Sequence, residues 1–182
     1  MVAAVNLRRY IERMTKTERL KLRSWTSDDL CFLDTFLGDP VVMKYSERGV
    51  LDKKEQAAWL YRNGEPKQRT YLPGTLAIEQ INSEAVIGYV SLSNDEDRIA
   101  HDEAELGFRL ARAAWGYGYA TEAIGGILNL ASGLDGLTRI VAIVDPHNIR
   151  SVRVLKKIGM VHKSDVVFEG YDHPDHLYAR EF

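Results

Sequence analysis

The sequence predicts a single α/β domain, and three observations carry that reading. Extended apolar segments come first, a glycine-rich turn then leads into an amphipathic helix, and an apolar segment, a second helix and a closing pair of extended segments follow. With 182 residues, 45% of them hydrophobic, the chain fills one core and is too short for two ordinary domains. No repeat, low-complexity tract or linker interrupts the order.

Taken in order, Leu7, Tyr10, Ile11 and Met14 share one helical face with Arg8, Arg9 and Arg13 opposite, so residues 1–16 read as an extension forming a short amphipathic helix. That helix packs on its own domain or forms a homodimer contact; residues 17–182 make the domain. Arg19 to Trp25 alternates as a half-buried strand, and Thr26-Ser27-Asp28-Asp29 starts a helix running from Leu30 to about Gly38. Cys31 lies in that apolar stretch and reads as a small buried hydrophobe; as the single cysteine it excludes an internal disulfide. Asp39-Pro40 restarts a short helical piece, and Asp52 to Tyr61 is another helix closed near Asn63-Gly64.

Thr75 to Ile81 and Ala85 to Leu92 form a hairpin around Asn82-Ser83-Glu84, and the acidic turn Asn94-Asp95-Glu96-Asp97 leads to a third strand. That strand, Glu103 to Leu110, places Ala104, Leu106, Phe108 and Leu110 on one face and Glu103, Glu105, Gly107 and Arg109 on the other. After the glycine turn, Ala120, Ala123, Ile124, Ile127, Leu128 and Ala131 recur at helical spacing; Gly125 and Gly126 weaken this helix unless they permit close packing on a sheet. Arg139 to Val144 is apolar enough to lie centrally in a sheet. Asn148 then caps a helix bearing Ile149, Val152, Leu155 and Ile158, and Met160 to Phe168 with His176 to Phe182 closes the domain as a hairpin.

The chemistry centres on Trp115-Gly116-Tyr117-Gly118-Tyr119-Ala120-Thr121-Glu122. Two glycines let the backbone turn tightly and bring its N–H groups against an anion, while the following helix points its unpaired first-turn amides at the same charge. A diphosphate-bearing ligand fits such a junction. The same glycines serve geometry alone in many strand–turn–helix junctions, and the missing Lys-Ser/Thr argues against a nucleotide-binding P-loop.

A formal charge of −2 gives no overall electrostatic case for nucleic acid. Arg8, Arg9, Glu12 and Arg13 break any signal-peptide run and no segment approaches transmembrane length, so a cytoplasmic protein without membrane attachment is expected. His173 and His176 sit in a polar turn with no matching ligand pair in sequence, and no metal is expected.

The order of elements and several motifs resemble the GNAT-superfamily N-acetyltransferases, in the branch typified by the Rim-type ribosomal-protein N-terminal acetyltransferases. The resemblance covers nearly everything after Thr17. It is carried by Thr17-Glu18-Arg19-Leu20-Lys21-Leu22-Arg23, Asp39-Pro40-Val41-Val42-Met43, Glu105-Leu106-Gly107-Phe108, the glycine loop, and Asp145-Pro146-His147-Asn148-Ile149-Arg150-Ser151 through Gly159-Met160. It implies a mixed twisted sheet of about six to seven strands flanked by helices, with a splayed pair of central strands. It also implies acetyl-CoA as co-substrate, an amine acceptor, and direct transfer without a covalent enzyme intermediate.

By the same resemblance, Trp115, Gly116, Tyr117, Gly118, Tyr119, Ala120 and Thr121 form the pyrophosphate loop. Phe108 and Leu110 pair with the pantetheine arm, and Asn148 and Ser151 face the pantetheine and the thioester sulfur, with a backbone amide near Phe108 to Leu110 meeting the oxyanion. Glu105 and Glu169 are the two expected bases; the alternatives for each are binding the acceptor's ammonium or facing solvent as an ordinary strand glutamate. Ser151 assists the leaving thiolate. The tyrosine acid common in the superfamily has no counterpart on the helix after Asn148, which leaves Tyr171 or Tyr178 of the closing hairpin. A protein N-terminus is the expected acceptor; a small-molecule amine such as an antibiotic or polyamine, and a catalytically silent acyl-CoA-binding module, are the alternatives.

Overall fold

The structure is a computed structural model, and it describes residues 16–64, 72–94, 100, 102–134, 136–168, 170 and 172–181. The helix expected within residues 1–16, Lys16 apart, and the acidic turn at 95–97 lie outside the described residues, as do Glu169 and Tyr171.

Seven strands make one mixed sheet: β1 (Leu20–Arg23), β2 (Gly74–Gln80), β3 (Val86–Ser93), β4 (Glu103–Leu110), β5 (Arg139–Val144), β6 (Val161–Val166) and β7 (Asp175–Glu181). Their spatial order is β1-β2-β3-β4-β5-β7-β6. Among the described residues five α-helices cover it: α1 (Leu30–Leu37), α2 (Pro40–Met43), α3 (Lys53–Gly64), α4 (Tyr119–Ala131) and α5 (Ile149–Lys157).

Alternation along the strands, shifted in β3 by an extra residue at Ile87, sorts the two cores. Leu76, Ile78, Ile87 and Val90 pack on one face with Ile124 and Ile127 of α4, whereas Ala77, Val86 and Tyr89 face Phe36, Leu37, Trp59 and Leu60 of α1 and α3. Gly126 explains its place in α4, because a Cβ there would stand 3.1 Å from Leu22 Cδ1 and 3.2 Å from Thr17 Cγ2. Nothing crowds Gly125.

Helix starts follow the sequence signals. Asp39 Oδ1 accepts from the Val41 amide at 2.8 Å, Asp52 and Glu55 exchange reciprocal bonds at 2.8 Å, and Asn148 accepts from the Ser151 amide at 3.2 Å. The burial expected for Cys31 is not observed: Leu33, Phe36 and Leu37 form the inward stripe of α1, which leaves Cys31 exposed, its thiol on the Asp28 carbonyl.

The feature that creates a site is the way β4 and β5 part. They pair in parallel only where Glu103–Glu105 meets Arg139–Val141. Past that point β4 stays bound to β3 up to Leu110, and β5 to β7 up to Val144, so the two strands diverge with unpaired inner edges. The β3 side is pinned by Gly88, where a Cβ would lie 2.0 Å from the Arg109 carbonyl oxygen and 2.8 Å from Leu110 Cα.

Candidate active site

The splay opens a cleft of about 460 Å³ whose walls are β4, β5, the start of α5 and the segment after α2. Glu105 stands at its apex, the last β4 residue paired with β5. Phe108, Asn148 and Ser151 line the wall beyond it, so the structure brings these sequence-predicted residues together around one opening.

Backbone direction follows from register. The Ala111 amide donates to the Ile87 carbonyl at 2.8 Å, and in an antiparallel ladder the alternate residues Arg109, Gly107 and Glu105 also turn their backbone groups to β3. Leu106, Phe108 and Leu110 therefore turn theirs into the splay. The Trp115 indole confirms that direction by donating to the Leu110 carbonyl at 2.9 Å. The Leu110 side chain is buried in the main core, and the residue itself does not line the cleft.

At the far end of β4 the glycine loop curls into α4. Gly116 and Gly118 adopt φ of +87° and +84°, a region open to glycine, and Gly118 is the N-cap of α4. Tyr117 is exposed and Tyr119, Ala120 and Thr121 half-buried, so the first-turn amides that need an external partner sit at an accessible helix start. Trp115 is half-buried, and Arg150 of α5 lies 4.8 Å over its ring.

Sequence reasoning missed what holds this loop. Arg19 donates to the Tyr117 carbonyl at 3.1 Å and to Glu122 at 2.7 Å, and its guanidinium lies 4.6 Å above the Tyr119 ring. Burial raises the Glu122 carboxyl, but hydrogen bonds from Thr17 and Arg19 outweigh this and hold it below the usual range. A fixed cation thus braces the loop at the residue where a diphosphate is expected.

The acceptor half of the cleft is mixed in charge. Arg109 contacts Met43 Sδ at 2.9 Å and lies 5.8 Å over the Tyr89 ring, and Lys44, Arg48, Glu47 and Asp175 share the lining. Burial, reinforced by nearby Asp145, pushes the Asp175 carboxyl up; this cleft carboxylate carried no sequence motif. Tyr178, one of the two expected acids, is 3% exposed in the main core and does not line the cleft, because its position on β7 points it inward.

At the rim, Asp145 meets two histidines. His147 Nδ1 is 3.0 Å and His173 Nε2 3.3 Å from Asp145 Oδ1, and the two ring nitrogens are 3.1 Å apart. Burial opposes ionisation of Asp145, yet bonds from the His147 amide and both rings keep its carboxyl below the ordinary range. Asp172 and Asp145 hold the His173 imidazole above its usual value.

The acetyltransferase (GNAT) domain family matches residues 19–161 of this sequence. The chain belongs to the GNAT acetyltransferase family. Among curated relatives it is 29% identical to the uncharacterized protein YkkB of Bacillus subtilis over 91% of this chain and 94% of that one. It is 30% identical to the uncharacterized N-acetyltransferase YnaD of the same organism over 79% of this chain and 80% of the relative. A GNAT-family acetyltransferase from Bacillus anthracis superposes with a TM-score of 0.80 at 24% identity, covering 92% of this chain and 97% of that one. The chain is therefore a GNAT enzyme, an N-acetyltransferase, and the family's acetyl donor is acetyl-CoA.

Proposed function

We propose that the protein transfers acetyl from acetyl-CoA to the α-amine of a polypeptide, with the splayed strands holding donor and acceptor side by side. The observation that carries this reading is the pair of inner edges left without a strand partner, residues 106–110 of β4 and 142–144 of β5. An extended chain adds to an exposed strand edge through main-chain hydrogen bonds. One edge suits the amide-bearing pantetheine arm; the other suits the first residues of a peptide. A polyamine offers no such backbone, which favours the peptide over small amines.

In this reading the amides of Tyr117 to Thr121 take the pyrophosphate at the start of α4, braced by Arg19 beneath the loop. The backbone groups of Phe108 and the amide of Leu110 hold pantetheine, while the Leu110 carbonyl stays with the Trp115 indole, and an amide on the same edge donates to the thioester oxygen as it becomes anionic. An alkyl ammonium with pKa near ~10 must lose a proton before attack, and Glu105 at the apex takes it directly or through one water. The amine nitrogen bonds to the thioester carbon, the C–S bond breaks, and the thiolate leaves beside Ser151 at the capped start of α5, taking up the second proton that the nitrogen sheds as the amide forms. Asp175 is the second carboxylate in reach of the acceptor's ammonium; Glu169 lies outside the described residues.

The test compares a lysine-free peptide with its analogue N-methylated at the first two peptide bonds, alongside pooled polyamines and aminoglycosides. The expected result is turnover on the peptide, a large loss on the N-methylated analogue, and little on the small amines. Efficient acetylation of the small amines with none on the peptide would overturn the acceptor assignment and leave the acetyl-transfer chemistry standing.

A further inference from the structure

We infer that Asp145, His147 and His173 form a three-ligand site for a divalent transition metal of the zinc class at the rim of the cleft. The ligand atoms make a triangle with edges of 3.0, 3.1 and 3.3 Å. Zinc bonds of about 2.0–2.2 Å in tetrahedral geometry place neighbouring ligands about 3.3 Å apart. Two imidazoles and one carboxylate are a donor set that suits this ion.

Hydrogen bonding alone leaves the triangle unsatisfied. If both ring nitrogens carry protons, each donates to Asp145 and two N–H groups confront each other across the 3.1 Å edge. If only one carries a proton, a bare nitrogen lone pair faces carboxylate oxygen on another edge. A cation at the centre satisfies all three edges at once.

The surroundings supply the outer partners such a site requires. His173 Nδ1 lies 2.7 Å from Asp172 Oδ1, which presents Nε2 to the site, the carboxylate–histidine arrangement that orients a ligand ring. The His147 amide donates to Asp145 Oδ1 at 2.7 Å, and the Tyr45 hydroxyl donates to the His147 carbonyl at 3.2 Å, fixing the loop between β5 and α5. A metal here ties the start of α5, with Asn148 and Ser151, to the turn before β7. A fourth position remains for water or a donor atom of the acceptor. The residues 162, 165 and 176 make a second group, but its edges of 3.0 and 3.7 Å are looser, so it serves as the internal control.

The experiment is a Zn²⁺ titration of the chelator-stripped full chain in competition with a chromophoric indicator, with Co²⁺ absorption as the coordination probe. One Zn²⁺ per chain is expected, lost in His147→Ala and His173→Ala and kept in the double variant His162→Ala/His176→Ala. Asp172→Asn, which removes no ligand, should weaken binding by about 10–100-fold and keeps the test decisive if a histidine variant misfolds. Absence of stoichiometric binding, or binding unchanged in the His147, His173 and Asp172 variants, would overturn the assignment.

Discussion

Gly118 offers a clean separation of charge from shape. A Cβ at this residue meets only Arg19 Nη2, at 3.7 Å, so a side chain fits sterically and the cost is the left-handed backbone at φ +84°, about 1–2 kcal/mol and less for asparagine or aspartate. Gly118→Asn and Gly118→Asp share that strain and differ by one charge. A carboxylate about 6 Å from one pyrophosphate charge, at an effective dielectric near 20, costs about 2.8 kcal/mol, or roughly 100-fold in affinity. Calorimetric titration with CoA should therefore show the aspartate variant binding about 100-fold more weakly than the asparagine variant, with the gap narrowing at high salt. Pantetheine, which lacks the pyrophosphate, should bind both alike. Equal CoA affinity for the two variants would refute the placement of the pyrophosphate at this loop.

Glu105→Gln should lower kcat by about 10²–10⁴ and remove the acidic limb of the pH–rate profile; an unchanged profile would transfer the base role to Asp175 or a water chain. Gly88→Ala forces a Cβ into the Arg109 carbonyl, and a loss of about 3 kcal/mol, or roughly 6–12 °C in Tm, should appear in thermal melts. Asp29 is 2% exposed; burial opposes its charge, but hydrogen bonds from Arg23 and Thr26 prevail and hold its carboxyl below the usual value. Its contribution is therefore complete above the unfolded pKa of about 3.9 and is lost as pH falls through the lower folded value. Urea melts of Asp29→Asn should show a shallower decline in stability below about pH 4 than the parent; identical slopes would remove Asp29 from the acid response.

What the sequence made legible was local. The span of β4 and its two faces follow from two-residue alternation, and Asp39, Asp52 and Asn148 cap their helices because a short polar side chain finds an amide two or three residues ahead. Gly118 at the start of α4 is likewise a matter of adjacent backbone. Contacts that depend on sheet order were invisible. Arg19 reaches Tyr117 across 98 residues because β1 runs beside α4, and His173 reaches His147 across 26 because β7 inserts next to β5. The burial expected for Cys31 failed for a related reason: an apolar neighbourhood in sequence does not say which stripe of a helix meets the sheet.

The central claim is that the cleft between β4 and β5 couples acetyl-CoA to a peptide amine, and one coupled measurement addresses it. Wild-type protein is incubated with acetyl-CoA and a lysine-free peptide, with thiol release and peptide mass followed in the same reaction. The account predicts one acetyl group on the N-terminus for each CoA released, and neither product when that N-terminus is blocked beforehand. CoA binding without thiol release on the free peptide or on small amines would contradict it and mark the cleft as an acyl-CoA receptor instead.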